Sequence, residues 1–77
     1  MENLIEELSA ILNDESMPKN VRNSIEAAIK VLQDNSVEES LRANKAMQEL
    51  DDVSDAPNMP SYIRSQLWGI VSQLERL

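Results

Sequence analysis

Met17-Pro18-Lys19-Asn20-Val21-Arg22 and, 42 residues on, Met59-Pro60-Ser61-Tyr62-Ile63-Arg64 are the two stretches whose likeness decides the fold. Working outward at the same offset, Leu8 falls on Leu50 and Leu32 on Leu74. Ile11 meets Val53, Ile25 meets Leu67 and Ile29 meets Val71. The matched apolar positions keep the spacing that gives a helix one buried face. Such self-similarity at a fixed period marks a duplicated supersecondary unit. The chain is expected to be a single domain over residues 1–77, with repeat one at about 3–34 and repeat two at about 36–77.

Each unit predicts two helices. The first runs from about Asn3 to Asn13 on the stripe Leu4, Ile5, Leu8, Ile11 and Leu12, and the polar cluster Asn13-Asp14-Glu15-Ser16 ends it. Pro18 fits the first turn of the second helix, where a missing N–H is no loss. That helix buries Val21, Ile25, Ala28, Ile29 and Leu32, and Asp34-Asn35-Ser36 closes it. Ser36-Val37-Glu38-Glu39 has the form of a capping box, with Ser36 as N-cap of a third helix running to about Val53. This helix is apolar on two sides: Ala43, Ala46, Met47, Leu50 and Val53 on one, Val37 and Leu41 on the other. Neighbours on both sides are therefore expected. The prolines of Ala56-Pro57 and Met59-Pro60 hold the next connection extended. A fourth helix follows from Pro60 to about Arg76, with Ile63, Leu67, Ile70, Val71, Leu74 and Leu77 facing inward.

Composition removes most chemistry. There is no cysteine and no histidine, which eliminates disulfides, thiolate nucleophiles, cysteine-bound zinc and the commonest general base. Ser61 and Tyr62 lack an activating base, and one glycine cannot make a phosphate-binding loop. No catalytic residue, cofactor or metal site is expected, and no enzymatic activity. Seven Lys and Arg stand against fourteen Asp and Glu, for a net charge of −7, which disfavours nucleic acid. Asp51, Asp52 and Asp55 form the densest acidic cluster, and solvated surface is its simplest role. No apolar run nears the ~18–20 residues of a membrane span. The N-terminal Met1-Glu2-Asn3-Leu4-Ile5-Glu6-Glu7 is acidic where a secretory signal is basic, so a cytoplasmic location is expected.

A period of 42 with paired helices, an acidic turn and Pro-x-x-Val-Arg resembles the HEAT repeat. The resemblance implies a ladder of turn Asp and helix Arg, for which Asp14 with Arg22 and Asp55 with Arg64 are the candidates. Two units are too few for an open solenoid. The expected fold is therefore all-α: two tandem HEAT-like hairpins closed into a compact bundle, or self-associating. A closer resemblance rests on Pro57-Asn58-Met59-Pro60, Arg64, Trp68, Ile70-Val71-Ser72 and Leu74-Glu75, with Asn13-Asp14, Pro18, Asn20 and Arg22 in the first unit. These are similar to a family of short, uncharacterised (UPF-type) archaeal helical proteins. That resemblance implies an all-helical fold and no known activity. It also implies an Asp before the first proline of the second motif, where this chain has Ala56.

One place breaks the repeat. Repeat two has Tyr62 for Asn20, Trp68 for Glu26 and Gly69 for Ala27, with Arg64 one turn before Trp68. Tryptophan and arginine are enriched where proteins bind each other. Tyr62, Arg64, Trp68 and Gly69 are thus the candidate interaction surface. A tryptophan covering the bundle's flank is the structural alternative for Trp68. The expected function is a protein–protein interaction or assembly module with a protein partner or itself, including a homodimer. The alternatives are a weak divalent-cation or small-molecule binder and a purely structural homo-oligomer.

Overall fold

The computed structural model describes residues 2–77; Met1, part of the acidic N-terminal stretch, lies outside the described residues. Four helices follow in order: α1 (Glu2–Leu12), α2 (Lys19–Leu32), α3 (Glu39–Asp51) and α4 (Ser61–Leu74). At 11 to 14 residues each, none is long enough to be stable alone in water. Their stability comes from one shared core. α1 supplies Leu4, Leu8 and Ile11; α2 Val21, Ile25, Ala28 and Leu32; α3 Ala43, Ala46 and Leu50; α4 Ile63, Leu67, Ile70 and Leu74. Met17, Val53 and Met59 bury the connections beneath the same core.

The most extensive helix pairing is α2 with α3, across the boundary between the two sequence units. Ala28 on α2 and Ala43 and Ala46 on α3 are all buried in the shared core. Small side chains at a crossing let helix axes approach closely. α1 packs on α2, α3 on α4, and α1 touches α4 lightly, which closes the bundle.

One turn device recurs. Asp14 Oδ1 accepts from the Ser16 N–H (2.9 Å) and Ser16 Oγ (2.6 Å), and Asp34 Oδ1 takes the same two donors from Ser36. Arg22 Nη1 donates to the Leu12 carbonyl at 2.9 Å, and Arg42 Nη1 to the Leu32 carbonyl at 3.0 Å. Each guanidinium thus caps the last carbonyl of the preceding helix, where a cation is favoured. The third turn keeps only part of this: Arg64 Nη2 donates to the Ala56 carbonyl at 3.2 Å. The residue four before each arginine is the N-cap. Pro18, Glu38 and Pro60 all have φ between −56° and −60° and ψ between 144° and 151°. Their carbonyls accept from the backbone N–H of Arg22, Arg42 and Arg64.

Several expectations are corrected. Pro18 and Pro60 stand one residue before their helices rather than in the first turn. Ser36 is not the N-cap of α3; Glu38 is, with no side-chain capping bond. The reason is competition, because the Ser36 hydroxyl is taken by the Asp34 carboxylate. The two-sided packing of α3 is not made by Leu41, which is 46% exposed. Ala43, Ala46 and Leu50 are its buried residues, with Met47 packed partly buried beside them. Leu77, expected inward, is exposed beyond the end of α4. The Asp–Arg ladder also takes another form: the arginines address carbonyls, while the Asp14 carboxylate serves Ser16 and Tyr62.

Candidate interaction surface on α4

The inner face of α4 is ordinary. Ile63, Leu67, Ile70 and Leu74 recur at intervals of three and four and are buried. The outer face is not. Between Ser61 and Leu74 the one charged residue is Arg64, whereas α1, α2 and α3 carry several charges each. Ser61, Tyr62, Ser65, Gln66, Trp68, Gly69, Ser72 and Gln73 are all exposed and all uncharged. Trp68 is 65% exposed and Tyr62 56% exposed. Trp68 thus keeps most of its surface in solvent.

The four candidate residues are not brought together as one patch. Tyr62 and Gly69 line a groove of about 480 Å³ between α1 and α4, with Ile11, Ile63 and Ile70 beneath and Glu7 and Asp14 on the far side. Trp68 and Arg64 are not among the residues lining that groove. Arg64 is half-buried, and its Nε is buried without a hydrogen-bond partner. Its guanidinium serves the turn through the Ala56 carbonyl.

At the end of the groove the Tyr62 hydroxyl donates to Asp14 Oδ2, joining residues 48 apart in the chain. The Asp14 carboxyl is held below its ordinary value of 3.8, first by the Ser16 hydroxyl, then by Tyr62 and the Ser16 N–H. Asp34 is lowered in the same way by the Ser36 hydroxyl and N–H. Both carboxylates are ionised at neutral pH, and the Asp14–Tyr62 bond is charge-assisted.

Gly69 has no role within the isolated chain. Its φ is not positive, and a Cβ added there would meet nothing within 4 Å. Mid-helix glycine costs about 1 kcal/mol relative to alanine. The backbone conformation does not require it, and neither does internal packing.

Sequence reasoning missed the α1 side of the groove. Glu7, Ala10 and Asp14 become site residues only because α1 lies beside α4. No local motif marks that contact. Among the described residues no three carboxylates are grouped to hold an ion.

Fold and surface together define a small acidic four-helix protein with one apolar core and an uncharged, aromatic-bearing outer helix face. The chain belongs to the uncharacterised protein family UPF0147, which matches residues 1–77. It is 43% identical over 68 residues to a UPF0147 protein of Sulfurisphaera tokodaii, covering 88% of this chain and 76% of that one. It is 39% identical over 77 residues to one of Archaeoglobus fulgidus, covering 100% and 87% respectively. Among solved structures, the crystal structure of the unknown function protein MMP1188 superposes with a TM-score of 0.94 at 39% identity. That match covers 99% of this chain and 86% of the other.

Proposed function

We propose that the chain is a non-enzymatic protein–protein interaction or assembly module of the cytoplasm that binds through the outer face of α4. The observation that carries this reading is Trp68, 65% exposed on a helix exterior with no acidic residue. Interface centres are depleted of charge and enriched in aromatic residues. On a chain of net charge −7, an uncharged run of eight exposed positions is the feature solubility does not explain. A tryptophan in such a setting is the usual kind of binding anchor.

The test compares wild type with Trp68→Ala, both as bait in a native lysate and by sedimentation. Loss of captured protein or of assembly mass in the variant is the expected result. Identical capture and identical mass would remove the interaction reading and leave Trp68 as an incidental surface residue.

A further inference from the structure

We infer that α4 is a self-pairing surface, in which Trp68 of one copy enters the α1–α4 groove of a second copy and receives the second copy's Trp68 in return. This rests on the interaction reading above and names its partner. Projection and recess lie on one helix at nearly one height. Among the described residues Trp68 is the most exposed large apolar one, and Gly69, the next residue, lines the groove. A helix turns about 100° and rises about 1.5 Å per residue. On that geometry Ser65 and Ser72 lie between Trp68 on one flank and Gly69 and Gln73 on the other.

A second α4 laid parallel along Ser65 and Ser72, related by a two-fold axis, brings each Trp68 to the other copy's groove flank. An antiparallel pair would set indole against indole and leave both grooves empty. Two-fold interfaces use one self-complementary patch on both copies, and a projection beside a recess is such a patch.

Three observations favour a second copy as the occupant. Two chains of charge −7 repel wherever carboxylates meet. The segment Ser61–Leu74 has no acidic residue, whereas α1, α2 and α3 each do. The indole N–H is a donor only, and the groove offers acceptors in Glu7, Gln66 and Gln73 with no Lys or Arg among its lining. Finally, the space beside Gly69 that no atom of this chain fills becomes room for the incoming ring.

The chain has one tryptophan and no cysteine, which makes the test direct. Sedimentation of wild type is expected to show a dimer forming with concentration, and the emission of Trp68 to shift to the blue as it forms. Trp68→Ala, which loses the projection, and Gly69→Leu, which fills the recess, are each expected to be folded and monomeric. Mixed together they retain one projection and one recess, so a heterodimer should appear that neither forms alone. Ser65→Cys is expected to cross-link to its own copy, as parallel packing requires. Wild type that stays monomeric up to about 1 mM overturns self-pairing. The interaction reading itself falls only if Trp68→Ala also leaves lysate capture unchanged. A dimer that survives Trp68→Ala and Gly69→Leu, or that cross-links only between Ser65→Cys and Ser72→Cys, overturns groove insertion.

Discussion

α2 and α4 occupy equivalent places in the two sequence units, and comparing them separates what holds the protein together from what it presents. Their inner faces agree position for position: Val21 with Ile63, Ile25 with Leu67, Ala28 with Ile70, Leu32 with Leu74, all buried. Apart from the half-buried Arg22 and Arg64, their outer faces differ. Lys19, Glu26 and Lys30 on α2 stand where α4 has Ser61, Trp68 and Ser72. One helix carries the ordinary charged exterior of an acidic protein, and the other carries an indole and, apart from Arg64, no charge. Packing constrains both inner faces alike. It does not account for the difference between the outer ones.

The largest effects should not distinguish the helices at all. Ile25→Ala and Leu67→Ala remove equivalent, fully buried side chains, and each is expected to cost about 2–5 kcal/mol in denaturant unfolding. A tolerant Leu67 beside an intolerant Ile25 would break the equivalence of the inner faces. Next comes the glycine. In dilute protein, Gly69→Ala is expected to stabilise by about 0.5–1 kcal/mol, because its Cβ meets nothing. Ala27→Gly at the matching place on α2 should lose a similar amount. A Gly69→Ala variant that melts lower would show an internal role for glycine that its surroundings do not reveal.

Acid should act on the Asp–Ser pairs of the turns ahead of α2 and α3, a device the turn ahead of α4 lacks. The folded Asp14 and Asp34 carboxyls lie below 3.8, so their contribution is complete above that value and is lost as pH falls through the lowered folded values. Asp14→Asn is expected to melt below wild type at neutral pH and to converge with it in that acid window. A gap that persists unchanged through the window would assign the loss to packing instead of ionisation. At the 42-residue offset Ala56 stands where the first turn has Asp14 and Asn58 where it has Ser16, so the third turn has no counterpart of the Asp14–Ser16 pair. The smallest stability effect belongs to the outer face. Trp68→Glu combined with Ser72→Lys gives α4 an α2-like exterior and should shift stability by within about 0.5 kcal/mol, while abolishing association in sedimentation.

Much of this was legible in the sequence for a physical reason: helix periodicity and turn chemistry are local. The four helices, their inner faces and the departure of Tyr62, Trp68 and Gly69 from the repeat all follow from residues within a few positions of one another. The capping arginines were harder to foresee. A guanidinium that reaches ten residues back to a helix's last carbonyl is a tertiary act, and the pairs Asp14–Ser16 and Asp34–Ser36 carry its signal at a shift of 20 that the 42-residue repeat conceals. Leu41 was misread because an amphipathic pattern states which faces are apolar, not which finds a neighbour. In α3 the alanine face found one and Leu41 did not.

Local sequence was enough for an all-helical chain of net charge −7, the repeat broken at Tyr62, Trp68 and Gly69, and the absence of cysteine and histidine chemistry. Packing of the whole chain was needed to make α2 and α3 the most extensive pair, to bring α1 against α4, and to join Asp14 and Tyr62 across 48 residues beside a groove. The division follows from the range of the interactions. Propensity, periodicity and charge are properties of neighbours along the chain. A groove exists only where two helices distant in sequence stop short of complete contact, and that gap depends on how every other side chain in the core has been accommodated.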